Sequence, residues 1–319
     1  MPNLNQGSSQ VSTDPSSSTA FLLVFHGSHD PRPTQAAQRL AQFVRSQLSL
    51  LQSLPVGCHD QGAAACLASL VALDRDALIR GYSPSLGLPF SSVAAPLPLV
   101  GTACLETGVF SLQRQILAFG ERVQAMGVTT LRIVPLFLLG GNHVLRDLPA
   151  EVSQAQRQSP RLTLDLTPHI GSHPAMKALV HSKFQAVSPE FPLLLAHGSR
   201  QRRSNQPVET LAEEIGGATA YWSIAPDLET RIIQLIQAGV QELAVLPYFL
   251  FNGTITDAIT RHAEALAERF PKLRIHLLPA LGPCPQLARI VVDLGLNQVP
   301  PAPKPVVRPL QRIAFSQAM

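Results

Sequence analysis

The sequence is poor in several residue classes, and each shortage excludes something. Only 14% of its 319 residues are charged, and the net charge is +4. No long Lys/Arg run exists, so the basic footprint of a nucleic-acid binder is missing. Aromatic residues make up 5%, with a single Trp. No uninterrupted apolar stretch reaches the ~18 residues that a membrane-spanning helix needs. The four cysteines, Cys58, Cys66, Cys104 and Cys284, form no CxxC pair. That argues against a zinc finger, an iron–sulfur cluster or a disulfide framework, and fits a reducing, cytoplasmic setting. What the chain does have is apolar content, 45%, enough to build a core and to exclude global disorder.

Three segments lack a sustained period. Residues 1–19 are polar, without Lys, Arg or an apolar run, and read as a disordered arm rather than a secretory or transit signal. Residues 297–319 are Pro-rich and read as a flexible tail. Residues 50–95 combine turn formers with little charge and read as an insertion, with one helix over Ala63–Arg80. Elsewhere, short apolar runs alternate with amphipathic stretches. The expected strands are 21–25, 97–105, 131–139, 162–166, 191–196, 218–224, 242–251 and 273–279. The expected helices are 33–48, 110–126, 145–157, 174–186, 206–215, 227–238, 255–269 and 285–294. Near-continuous apolar strands separated by helices predict an α/β fold with a doubly wound, flavodoxin-like parallel sheet.

The pattern runs twice. FLLVFHGSHDPRP (21–33) matches PLLLAHGSRQRRS (192–204), and LRIVPLFLLGGN (131–142) matches ELAVLPYFLFNG (242–253). Pro135 follows His26 by 109 residues, whereas Pro247 follows His197 by 50. The excess falls almost wholly in the 50–95 stretch. Two tandem domains related by internal duplication are therefore expected, over 20–188 and 189–296.

Open parallel sheets bind ligands beyond the carboxyl ends of their strands. In the first half His26 directly follows strand one, Glu106 follows strand two, and His143 follows strand three after a GGN turn. Two imidazoles and a carboxylate on one rim suit a borderline divalent metal such as Fe²⁺ or Co²⁺. Each also has an ordinary structural role available. A histidine after a strand is commonly a loop residue, and Glu106 or Asp147 can answer a helix dipole. The second half keeps His197, but the His143 position holds Ile255 and the Glu106 position falls at Trp222 or Ser223. One site in the first half is expected, with the second half as wall or lid. Arg200, Arg202 and Arg203 on that half's rim could meet a polyanionic ligand.

The stretches LLVFHGSHDPRP, VGTACLE and VPLFLLGGNHVLRDLP resemble the three active-site motifs of the class II chelatases, in their long, tandem two-domain form. These are the sirohydrochlorin cobaltochelatases and ferrochelatases of cobalamin and siroheme synthesis. The chain departs from that pattern in the 50–95 insertion and in TGVF after Glu106, where the family more often has a proline. The resemblance implies two tandem chelatase-like domains and a lyase that inserts Co²⁺ or Fe²⁺ into sirohydrochlorin. It implies His26 and His143 as catalytic histidines and Glu106 as the third metal-contacting group. Sirohydrochlorin and a divalent metal are the implied partners, the metal is a substrate, and no tightly bound cofactor is expected. Transient contact with neighbouring enzymes of tetrapyrrole synthesis is a further expectation, and neither nucleic acid nor membrane is an expected partner. Candidate substrate contacts are Arg32, Arg146, Arg200, Arg202 and Arg203 for carboxylates, Leu138, Leu139 and Val144 for the macrocycle, and Ser28 and Gly141 in the turns between. Two other readings stay open. A histidine-nucleophile phosphatase is one, although Phe25 stands where such sites usually place an Arg. A non-catalytic metal or tetrapyrrole carrier is the other.

Overall fold

The computed structural model describes residues 19–52 and 98–298. Most of the 50–95 insertion and its expected helix, the arm up to residue 18 and the tail from residue 299 lie outside the described residues. The first sheet contains β1 (Thr19–Phe25), β2 (Val100–Cys104), β3 (Thr130–Pro135) and β4 (Thr163–Leu166), in the order β2-β1-β3-β4. The second contains β5 (Phe191–Ala196), β6 (Ala218–Tyr221), β7 (Glu242–Pro247) and β8 (Arg274–Leu277), in the order β6-β5-β7-β8. Every pairing is parallel. The central strands β1 and β5 are buried almost throughout, which is why their sequences run apolar without alternation.

Eight α-helices complete the described residues: α1 (Pro31–Gln52), α2 (Leu112–Gln124), α3 (Leu148–Gln158), α4 (Ala175–Gln185), α5 (Arg202–Glu214), α6 (Leu228–Gln237), α7 (Thr254–Arg269) and α8 (Pro285–Gly295). The two halves thus repeat one doubly wound α/β unit, as the sequence repeat requires. Strands β3 and β7 are shorter than the apolar runs that announced them. Leu136 N–H donates to Val24 O at 2.7 Å and Tyr248 N–H to Leu195 O at 2.8 Å. Strands β1 and β5 end just beyond those rungs, so no partner remains to extend the ladder. Helix α5 starts at Arg202 rather than 206 and carries Pro207 inside it. The Asn205 side chain ties its first turn to Ser199 N and O at 2.8 Å each, which sets the earlier start.

The apolar residues form three cores. Two lie on the outer faces of the sheets, one against α2 and α3 and one against α6 and α7. The third and largest is shared: α1, α4, α5 and α8 are layered between the sheets and bury residues from both. The halves exchange their last helices in this layer, since α8 packs on α1, α4 and β3, while α4 packs on β7. The exchange is tight. A Cβ at Gly295 of α8 would lie 1.9 Å from the Phe21 ring of β1.

Two histidines after β4, one buried and one half-buried, make stability depend on pH. His173 is buried, with Nδ1 accepting from Ala175 N–H at 3.1 Å. Burial lowers its pKa below 6.5, with Asp293 pulling weakly the other way, and burial likewise lowers that of His169. A folded pKa below the unfolded one adds stability that is fully present above about pH 6.5 and is lost as pH falls through the folded values. The melting temperature should therefore drop between about pH 7 and pH 5. A His173→Gln variant, neutral throughout, should show a shallower drop in the same thermal scans.

Candidate metal centre

The order β2-β1-β3-β4 places the topological switch point between β1 and β3, where the crossovers diverge and a crevice opens at the strands' carboxyl ends. His26 is the first residue beyond β1, and Glu106 lies two residues beyond β2. The two are locked together by backbone, because Leu105 N–H donates to Phe25 O at 2.9 Å and Glu106 N–H to His26 O at 2.8 Å. Gly27 makes that close approach possible. Its φ is +98°, and a Cβ there would lie 2.0 Å from Glu106 O.

His143 arrives from the other side of the crevice. The GGN turn after β3 leads into a single π-helical turn, His143–Asp147, that runs directly into α3. Such turns are rare and occur frequently at functional sites. Here the turn brings His143 and Asp147 onto one face, and the imidazole Nδ1 meets the Asp147 carboxylate at 2.7 Å. The carboxylate accepts a hydrogen bond from Nδ1–H, so Nε2 carries the lone pair and faces the crevice. The two loops are held in register by Glu151 of α3, whose carboxylate accepts from Gln113 N–H in the first turn of α2 at 2.8 Å.

The three expected ligands converge. His26 Nε2 lies 3.8 Å from Glu106 Oε2, and His143 Nε2 lies 3.9 Å from Glu106 Oε1. The two imidazoles meet edge-on with centroids 4.9 Å apart. One donor atom from each of the three residues lies within 4.8 Å of the others. A metal about 2.1 Å from each donor separates the donors by about 3.0–4.2 Å, depending on coordination angle. The cluster is therefore close to coordination geometry without any main-chain movement. All three side chains remain partly exposed, so a metal held here keeps open positions toward solvent. Phe137 stands 6.4 Å and 6.5 Å from the His26 and His143 rings and backs the site from the outer core.

Asp147 was open to interpretation as a first-turn helix charge; the structure instead makes it the partner of His143. The His-x-x-x-Asp spacing was the signal for it. We predict that Asp147→Asn weakens Co²⁺ binding about 10- to 100-fold, as removing such an outer carboxylate typically does. Asp147→Glu should recover part of the loss, measured by metal titration of both variants.

His169 was not anticipated. It follows β4, the fourth strand end on the same rim, and its half-buried ring stands 3.5 Å from where a Gly140 Cβ would be. Burial keeps it neutral near pH 7.

The remaining candidates divide. Leu138 and Leu139 are half-buried against the shared core, and Val144 is half-buried against the outer one. Gly141 faces open space. Arg146 is exposed, one residue before Asp147. Ser28 Oγ accepts from Asp30 N–H at 3.1 Å and shapes the turn. Arg32 is engaged elsewhere: it pairs with Asp30 at 2.5 Å and reaches Asp257 at 2.6 Å, clasping the α1 end of the first half to α7 of the second. This clasp holds both carboxyls below their ordinary pKa and raises that of the guanidinium. Arg200 and Arg203 are exposed on the second half's rim, and among the described residues no carboxylate pairs with either. Arg202 opens α5 beside them.

The second half lacks the constellation. Ser223 N–H donates to His197 O at 2.9 Å, reproducing the Glu106–His26 bond and making Ser223, not Trp222, the structural counterpart of Glu106. Ile255 occupies the His143 position in the first turn of α7. Among the described residues, a metal-holding group of three appears only at His26, Glu106 and His143.

Known proteins match this chain over both halves. The model of the CbiX family matches residues 103–187 and 192–294. A sirohydrochlorin cobaltochelatase of Priestia megaterium is 20% identical over 206 residues, covering 59% of this chain and 67% of the relative. A sirohydrochlorin ferrochelatase of the same organism is 21% identical over 154 residues. That match covers 44% of this chain and spans 58% of the ferrochelatase's length. Among solved structures, the cobalt complex of the sirohydrochlorin chelatase SirB from Bacillus subtilis subspecies spizizenii superposes with a TM-score of 0.56 at 18% identity. It covers 88% of this chain and 95% of that one, so the shared fold extends through the tandem repeat.

Proposed function

The chain belongs to the CbiX family, and from that premise we propose that it is a lyase inserting Co²⁺ or Fe²⁺ into sirohydrochlorin. The observation that carries the reading is the convergence of His26, Glu106 and His143 on one open rim. We read residues 20–188 as the unit bearing the site and 189–296 as its wall, acting in the cytoplasm.

Insertion exchanges two pyrrole N–H protons for one divalent ion. The His26 and His143 Nε2 atoms and a Glu106 oxygen hold the incoming ion and leave coordination positions for macrocycle nitrogens. As the ion passes to the macrocycle, each imidazole regains a lone pair, so two acceptors become available as two protons leave. An imidazole titrates near ~6.5 and can take and release a proton at neutral pH. Asp147 stabilises the imidazolium formed at His143. The single Glu106 carboxylate keeps the donor set at two nitrogens and one oxygen, which suits Co²⁺ and Fe²⁺ alike, with the affinity order favouring Co²⁺. Leu138, Leu139 and Val144 would meet the macrocycle, with Ser28 and Gly141 shaping the turns beside it. Its carboxylates would meet Arg146, Arg200, Arg202 and Arg203. Arg32 would join them only by giving up Asp257.

The test is metallation itself. Purified protein, sirohydrochlorin and Co²⁺ or Fe²⁺ should give the metallated absorbance spectrum faster than the protein-free mixture. Tetrapyrrole binding without such acceleration would make the protein a carrier instead and sink the catalytic reading.

A further inference from the structure

Seven large apolar side chains are exposed among the described residues, and they are distributed unevenly. Leu50, Met126 and Ile236 lie at the carboxyl-terminal ends of helices α1, α2 and α6, on the face away from the metal site. The other four lie on the metal-bearing face. Val109 is 94% exposed and Phe110 57%, both in the loop that leaves Glu106. Leu145 is 69% exposed and lies two residues past His143, inside the π-helical turn. Ile255 is 37% exposed in the first turn of α7, between Gly253 and Asp257. Those two neighbours reach the first half: a Gly253 Cβ would lie 3.6 Å from Pro33, and Asp257 pairs with Arg32.

Val109, Phe110 and Leu145 therefore sit on the two loops that supply two of the three metal ligands. The Gln113–Glu151 hydrogen bond ties those loops together at the first turns of α2 and α3. None of the three is buried by the fold, so each exposes apolar surface whose burial by a ligand is favourable. Basic groups flank them: Arg146 is next to Leu145, and Arg114 lies in the first turn of α2 beyond Phe110, both exposed. An apolar centre with guanidinium groups at its margin complements a flat, conjugated macrocycle that carries carboxylates on its periphery.

We propose that Val109, Phe110 and Leu145, faced by Ile255 from the second half, form an apolar collar that grips the tetrapyrrole macrocycle over the metal site and sets specificity for it. The inference rests on the chelatase reading of the same site. The collar positions the substrate and does not touch the metal, so its removal should separate tetrapyrrole binding from metal binding.

The experiment compares the wild-type protein with the Val109→Ser/Phe110→Ser double variant and with Leu145→Ser. Equilibrium binding of sirohydrochlorin without metal is followed by its fluorescence, and Co²⁺ binding by calorimetry. The double variant should bind sirohydrochlorin about 10- to 100-fold more weakly, the loss expected from two apolar contacts. Leu145→Ser should lose less, and Co²⁺ affinity should be unchanged in both. Equal sirohydrochlorin affinity in wild type and double variant would overturn the collar. So would a wild-type protein that binds no sirohydrochlorin. A change of oligomeric state by light scattering with sirohydrochlorin affinity intact would assign the patch to self-association and also overturn it. Failure of the chelatase reading is separate, because it appears as absent turnover by wild type whatever the variants bind.

Discussion

His143→Ala should reduce metal insertion by about 10²- to 10⁴-fold, the range lost when a positioned proton acceptor is removed. Several roles meet in this one ring. Its Nε2 is one of three candidate donor atoms, in the proposed mechanism it is one of two proton acceptors, and its Nδ1 meets Asp147 at 2.7 Å. Alanine removes all three roles, and the remaining His26–Glu106 pair offers only two donors. The ring is partly exposed and fills no core position, so the variant should melt close to wild type. Rate is read from the metallated absorbance spectrum, with a thermal scan as the folding control. Full activity in a folded His143→Ala protein would remove this site from the mechanism.

The second large effect should come from a residue with no side chain. In Gly27→Ala the new Cβ would stand 2.0 Å from Glu106 O, at a φ of +98° that L-residues rarely adopt. The atom it meets is backbone, so nothing can rotate away. The turn after β1 must move, and the 2.8 Å bond from Glu106 N–H to His26 O breaks or lengthens. Two of the three ligands then shift relative to the third. A displacement of about 1 Å can cost about 10²-fold in rate, and the strained backbone about 1–3 kcal/mol in stability. The check is kcat/KM together with the Co²⁺ dissociation constant. Metal affinity and rate should fall together, because the lesion is geometric.

Part of this site is legible in the sequence and part is not. His26, Glu106 and His143 were legible because the first two stand directly after an apolar run and the third after a short GGN turn, and the ends of parallel strands must share one rim. Their mutual distances were not legible, because they depend on how strongly the sheet twists and on a π-helical turn that no periodicity announces. Asp147 had the spacing to reach His143 on a regular helix, yet equally the position to answer a helix dipole. Only the observed hydrogen bond decides between them. Arg32 illustrates the opposite case. Its sequence context suggested an anchor for a substrate carboxylate, but Asp257, 225 residues away, already occupies it. His169 follows the fourth expected strand, 162–166, by three residues, so its place on the rim was legible; its burial and its approach to Gly140 come only from the structure.

The sequence by itself determined the class of fold, its duplication and the absence of counterparts to Glu106 and His143 from the second copy. Those follow from local rules: which residues prefer a buried strand, which end it, and which pattern recurs. The tertiary structure decided what depends on contacts between distant residues. It placed Ser223, not Trp222, opposite Glu106, through a backbone bond to His197. It exchanged α4 and α8 between the halves and so gave two repeats one shared core. It also left Val109, Phe110 and Leu145 exposed on the loops that carry Glu106 and His143. Apolar residues carry no mark of which surface they will meet, because hydrophobic attraction has no direction. Burial is assigned only when the whole chain has packed, and what remains uncovered is then available to a ligand.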